Sequence, residues 1–255
     1  MKSLKEALVR KNRDNNVSEL AYSEVIDFLK QNYKFSLHLG TGERLPDYEK
    51  YITLRNSRSK ILVDIANPNK YILDVTAEDM PALTNGLFEF GNINGFFICC
   101  KDRSYHQNKK LLSLEGAPKS VIGFNCDSCI NLKSLKGSPR IVEEDFSCEH
   151  CDSLIDLVGA PKEVDVFSCR WCKNLSSLKG APYEVTRVFH CDECPKLTSL
   201  EGISKIIDGD LYVGRNPNIR TLKGLSYVDG DIYIEKDSSR PDDAYGKFKD
   251  QIIEF

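Results

Sequence analysis

Phe124-Asn125-Cys126-Asp127-Ser128-Cys129 is the stretch that decides how this chain reads, because its pattern returns every 21 or 22 residues. It recurs as Phe146-Ser147-Cys148-Glu149-His150-Cys151, then Phe167-Ser168-Cys169-Arg170-Trp171-Cys172, then Phe189-His190-Cys191-Asp192-Glu193-Cys194. A period of this length marks stacked units that share one core. Aligned on the first cysteine, the copies run Cys99, Cys126, Cys148, Cys169, Cys191, Val213 and Ile234, which makes seven rungs. Two residues earlier stands a large apolar side chain in every copy: Phe97, Phe124, Phe146, Phe167, Phe189, Leu211 and Ile232. Side chains two apart on a strand share a face, so both columns belong to a short strand turned toward the core.

The rest of each coil is equally regular. Leucines or isoleucine recur at Leu111, Leu132, Leu154, Leu175, Leu197 and Ile219, and again at Leu114, Leu135, Leu157, Leu178, Leu200 and Leu222. Each coil then turns at a glycine, from Gly116 to Gly224. A returning Val or Ile follows: Val121, Val142, Val164, Val185, Ile207 and Val228. Such a coil has room for one strand and an extended or 3-10 return, and hardly for an α-helix.

Val121, Phe124, Cys126 and Cys129 sit where the leucine-rich repeat family has its first apolar residues and its Asn or Cys, and the chain resembles that family over roughly residues 83–237. The C-x-x-L-x-S-L-x-G-x-P wording is similar to cysteine-bearing repeats of bacterial surface proteins and to repeat proteins of large tailed bacteriophages. That resemblance implies a solenoid with a parallel sheet on its concave face. It also implies a protein-binding role, for a phage protein one directed at a host or defence protein.

Four CxxC pairs also suggest zinc, since their spacing suits a metal ribbon. The chain's own substitutions argue for structural thiols instead. The first cysteine column ends in Val213 and Ile234, which ligate nothing but fill a core. The second runs Asp102, Cys129, Cys151, Cys172, Cys194, Asn216 and Asp237, and Asn or Cys there can bond backbone groups freed where the strand bends away. No metal and no cofactor are therefore expected; a zinc-binding structural repeat protein is the alternative.

Positions interleaved with the inward columns face outward, and they hold the informative residues. Glu149, His150, Arg170, Trp171, His190, Asp192, Tyr212, Arg215 and Tyr233 form the candidate partner-binding surface, centred on the single tryptophan. Trp, Tyr and Arg give large contact area for little lost entropy, as at protein-binding hot spots. His150 and His190 lie two rungs apart, roughly 10 Å, and no nucleophile accompanies them, so no catalytic residues are assigned. A second candidate is the basic insertion in the first rung, with Arg103, Tyr105, His106, Lys109 and Lys110, because insertions in repeat arrays map to loops on binding faces.

The flanks read as caps. Residues 1–82 form an expected N-terminal segment, helical over 1–35 with short strands at Tyr51–Leu54, Lys60–Ile65 and Tyr71–Val75. Gly40-Thr41-Gly42 there lacks the rest of a phosphate-binding motif and reads as a turn. An enzyme or targeting domain in this segment is the second alternative. Residues 83–237 make the solenoid, and 238–255 a C-terminal cap helix over Ala244–Ile253. The fold class expected is thus an α+β cap, a leucine-rich repeat β-solenoid and a helical cap.

Bulk properties narrow the partners. With 35 basic and 38 acidic residues and a net charge of −3, mixed along the chain, nothing recommends nucleic acid or a membrane surface. No apolar run is long enough to span a bilayer and the N-terminus has no apolar signal region, so the expected compartment is the cytoplasm, or a host's cytoplasm for a phage protein.

Overall fold

The computed structural model describes residues 96–99, 107–237, 240–241 and 243–255, together with the backbone of four strands within 36–77. The chain is a parallel β-solenoid of about six turns. Its main ladder is made by β5 (Phe96–Ile98), β7 (Gly123–Asn125), β9 (Asp145–Ser147), β10 (Glu163–Ser168), β11 (Glu184–His190), β13 (Asp210–Tyr212) and β14 (Ile232–Ile234). These strands pair in parallel, and Phe97, Phe124, Phe146, Phe167 and Phe189 stand in one register.

A second, shorter ladder flanks the first. β6 (Ser120–Val121) pairs with β8 (Ile141–Val142), and the leading residues of β10 and β11 pair with each other and with β12 (Ile206–Ile207). Here the returning Val and Ile point inward and the flanking residues point out. β10 and β11 run through the corner between the two ladders without a break.

Among the described residues the expected inward columns are buried except at Asp237, the last member of the second Cys column, which is half-buried and pairs with Arg220 at 2.6 Å. The phenylalanine rings stack rung on rung with centroids 5.2 to 5.6 Å apart, and the leucine, valine and cysteine columns join them in one continuous core. Stacked flat rings fill a solenoid axis at the spacing of the strands themselves, which explains the recurrence of Phe rather than a branched residue. The turn glycines are required twice over. Gly159 has φ +107, and a Cβ there would lie 2.3 to 2.6 Å from backbone atoms of Leu135 and Lys136 in the rung below.

The second cysteine column works through hydrogen bonds. Cys151, Cys172 and Cys194 donate Sγ–H to the carbonyls of Cys126, Cys148 and Cys169 at 3.1 to 3.2 Å. Asn216 does the same with its amide, to Cys191 O and Val213 O at 2.9 Å each, and accepts from Cys194 N at 2.7 Å. In the first rung this role falls to Asn108, whose amide donates to Cys99 O at 2.8 Å. The expected occupant, Asp102, lies outside the described residues, and the position it was assigned is filled by Asn108. The insertion therefore precedes the inward polar residue instead of following it.

The two ends differ from expectation. Ala244–Ile253 does not form a cap helix: Gly246–Gln251 is a 3-10 helix, and β15 (Ile252–Glu254) pairs in parallel with β14. The open edge of β14 is covered by another strand, whose backbone groups it would otherwise leave without ladder partners. At the other end β1 (Ser36–Leu39), β2 (Tyr51–Arg55), β3 (Ser59–Asp64) and β4 (Ile72–Ala77) form an antiparallel meander, and β4 joins β5 in parallel. The strands expected at 51–54, 60–65 and 71–75 are β2, β3 and β4, while β1 falls where no strand is expected. The helices expected over 1–35 and the turn at Gly40–Gly42 lie outside the described residues.

Candidate functional site

One backbone feature positions the outward side chains. Ser128, His150, Trp171, Glu193 and Arg215, each just before the inward Cys or Asn, adopt φ between 53° and 59°. This left-handed conformation is unusual for residues with a Cβ and costs roughly 1 kcal/mol each. It bends the chain off the strand so that the next side chain turns inward. The amides of Ser128, His150, Trp171 and Glu193 donate to the carbonyls of Glu149, Arg170, Asp192 and Gly214 in the following rung, at 2.7 to 3.2 Å. The conformation is thus locked rung by rung, and the side chain it carries is directed to the surface.

The candidate residues form a connected array. His150 stacks on Trp171 with centroids 4.7 Å apart and planes 3° from parallel, and the Arg170 guanidinium lies 4.0 Å from the centre of the indole. Trp171 is half-buried, not openly exposed, and held by both neighbours. Arg170 Nε donates to Asp192 Oδ2 at 2.8 Å. Arg215 Nη1 pairs with Glu193 Oε1 at 2.7 Å. On the neighbouring column His190 packs against Tyr212 at 4.5 Å, and Tyr212 stacks on Tyr233 at 4.3 Å.

Carboxylates tie the columns together. Ser168 Oγ donates to Glu149 Oε1 at 2.5 Å, and Glu149 N donates to Asp127 Oδ1 at 2.7 Å. Burial holds the Glu149 carboxyl above its ordinary range, against the Ser168 hydroxyl and with the help of Asp127. Asp192 is shifted the other way: burial raises it, but His190 and the Arg170 guanidinium outweigh that and hold it low. His190 Nδ1 is 3.6 Å from Asp192 Oδ1, ion-pair range but beyond a hydrogen bond, so the Arg170 contact is the firmer of the two.

His150 and His190 do not share a partner, and among the described residues no group of three or more His, Cys, Asp or Glu is arranged to hold a metal. Of the second candidate loop, Lys109 and Lys110 are exposed beside buried Asn108, while Arg103, Tyr105 and His106 lie outside the described residues. Two residues that sequence reasoning missed close the array. The ring of Phe96 lies over Gly123, and that of Phe255 over Gly214, so close that a Cβ at either glycine would meet the ring at 2.4 and 2.3 Å. The unbranched glycines opposite were the only signal in the sequence for these two slots. Comparison with protein families, with curated proteins and with solved structures finds no match to this chain.

Proposed function

We propose that the chain is a non-enzymatic protein-binding module whose partner docks on the outward face of the main ladder, across Arg170, Trp171 and the His190–Tyr212–Tyr233 stack. The observation that carries this reading is the array itself: large amphipathic side chains on a rigid parallel ladder, each held in place by the next rung. A surface organised in advance loses little side-chain entropy when a partner binds. The solenoid and its inward Cys and Asn column support assigning the repeats to the leucine-rich repeat class. The similarity of the repeat wording to phage proteins supports an action in a host's cytoplasm, by sequestering or inhibiting a host or defence protein.

The test starts with affinity capture from a bacterial lysate, followed by calorimetry of the purified partner with wild type and with Trp171→Ala plus Arg170→Ala. The double variant is expected to weaken binding at least about 30-fold, the loss of one hot-spot residue. A control, Ile155→Ser on the return side, should leave the affinity unchanged. A partner bound equally by wild type and the double variant would move the interface elsewhere.

A further inference from the structure

Within the array and beyond it, ions stacked in one column of the solenoid usually meet a neighbour of opposite sign. Arg170 meets Asp192, Arg215 meets Glu193, Lys173 meets Asp152 and Lys223 meets Glu201. The second ladder breaks that rule. Two residues before the buried Val or Ile of the six coils stand Lys119, Arg140, Lys162, Tyr183, Lys205 and Ser226, a column whose only charges are positive. The register is fixed by main-chain bonds: Arg140 N to Lys119 O at 3.0 Å, Tyr183 N to Lys162 O at 2.6 Å and Lys205 N to Tyr183 O at 2.9 Å. One residue past it stand Ile122, Glu143, Asp165, Thr186, Asp208 and Asp229, a column whose only charges are negative.

Each cation and the anion three residues on, such as Arg140 and Glu143 or Lys205 and Asp208, are roughly 10 Å apart on an extended chain. They straddle the buried valine and do not meet. Among the described residues Arg140, Lys162, Lys205, Glu143 and Asp208 make no ion pair. Between and beside the stripes lie three of the most exposed large apolar side chains: Ile141 at 59%, Tyr183 at 56% and Tyr227 at 46%. The flank therefore reads, across its width, as a basic stripe, a partly apolar strip and an acidic stripe.

We propose that this flank is an interface between two copies of the chain. A two-fold axis lying in the interface and parallel to the solenoid carries the basic stripe of one copy onto the acidic stripe of the other. The apolar strip then meets its own image, and the two solenoids run in the same direction. An axis across the stripes would set like on like, so the pattern selects one symmetry. Isologous pairing of this kind closes on itself and does not grow. A linear polyanion would satisfy the basic stripe alone and leave the acidic one facing it at roughly 10 Å.

The pairing is weak by construction. Six rungs at about 4.8 Å give a strip some 25 to 30 Å long, and its narrow width keeps it below the ~800 Å² per partner of a stable interface. Glu163 and Glu184, in the middle column of the two central rungs, also come near their own images.

Analytical ultracentrifugation of the full chain at rising concentration tests this. At low salt the mass should climb to that of two chains and stop there, and molar salt should return it to one. Arg140→Glu/Lys162→Glu/Lys205→Glu and Glu143→Lys/Asp165→Lys/Asp208→Lys should each be monomeric alone, while their equimolar mixture pairs again. Glu163→Gln with Glu184→Gln should tighten the wild-type pair. Most of these side chains are exposed, Asp165 and Glu184 are half-buried, and circular dichroism of each variant checks that the fold is kept. A single-chain mass at every concentration, growth beyond two chains, a dimer indifferent to salt, or a mixture that stays monomeric would each overturn the proposal.

Discussion

At the scale of single residues, the left-handed position before each inward Cys or Asn holds the molecule's most unusual backbone. Ser128 has φ 57°, and among the described residues its hydroxyl makes no hydrogen bond that would offset the strain. Replacing it with glycine removes the Cβ clash at the cost of a freer unfolded chain, so Ser128→Gly should raise stability slightly, by up to about 1 kcal/mol. Ser128→Val, branched at Cβ, should lower it by about 2 kcal/mol. Urea midpoints of the two variants check the sign. The identities of the surface residues were legible from the two-residue alternation of the strand. Their conformation was not, because Trp, Glu and Arg carry none of the usual preference for positive φ. What holds them is the carbonyl of the next rung, 21 residues on in the case of Trp171 and Asp192, and no local pattern announces it.

At the scale of the repeating element, the second Cys column ties each rung to the one before. Asn216 satisfies two carbonyls and one amide at once. Asn216→Ala leaves all three buried without partners and should cost about 3 kcal/mol. Asn216→Cys restores the thiol that does this work in the rungs before it and should cost about 1 kcal/mol, an ordering that chemical denaturation would verify. The columns themselves could be read from the sequence because the period is fixed and each column admits few residue types. The first rung misleads because the place three residues after Cys99 is held by Asp102 while an insertion moves the inward polar residue further on. Counting back from Leu111 and Leu114 reaches Asn108, so the signal lay downstream. Ala244–Ile253 misled for another reason: Phe248, Ile252 and Ile253 have a spacing that suits a helix as well as a 3-10 turn followed by a strand. The edge of β14 decided between them, and that edge is a property of the assembled sheet.

At the scale of the whole molecule, the sulfur columns make the fold sensitive to base. Burial pushes the thiols of Cys126, Cys148, Cys169, Cys172 and Cys191 well above the ordinary value of 9.0, and neighbouring thiols push the same way. A raised folded pKa leaves stability intact below the unfolded value. Above it the unfolded chain sheds protons that the folded chain keeps, and stability falls by about 1.4 kcal/mol per pH unit for each thiol. Urea midpoints measured upward from pH 8 should therefore drop steeply beyond pH 9. Cys126→Val with Cys148→Val, the side chain already found at Val213 in this column, should flatten that slope. A slope unchanged by the two valines would show that other groups govern it.

The main-chain bonds that lock the left-handed residues involve no side chain, and they repeat from Ser128 to Glu193 with the same donors and acceptors. Each rung is in this sense a cassette. A unit cut from one glycine turn to the next can be deleted, duplicated or exchanged while the contacts above and below it are remade by equivalent atoms. The outward residues travel with their cassette as a row of type travels with its block. New orders of His150, Trp171, Glu193 and Arg215 along the face are then reached by recombination between repeats, without passing through a chain that has lost its core.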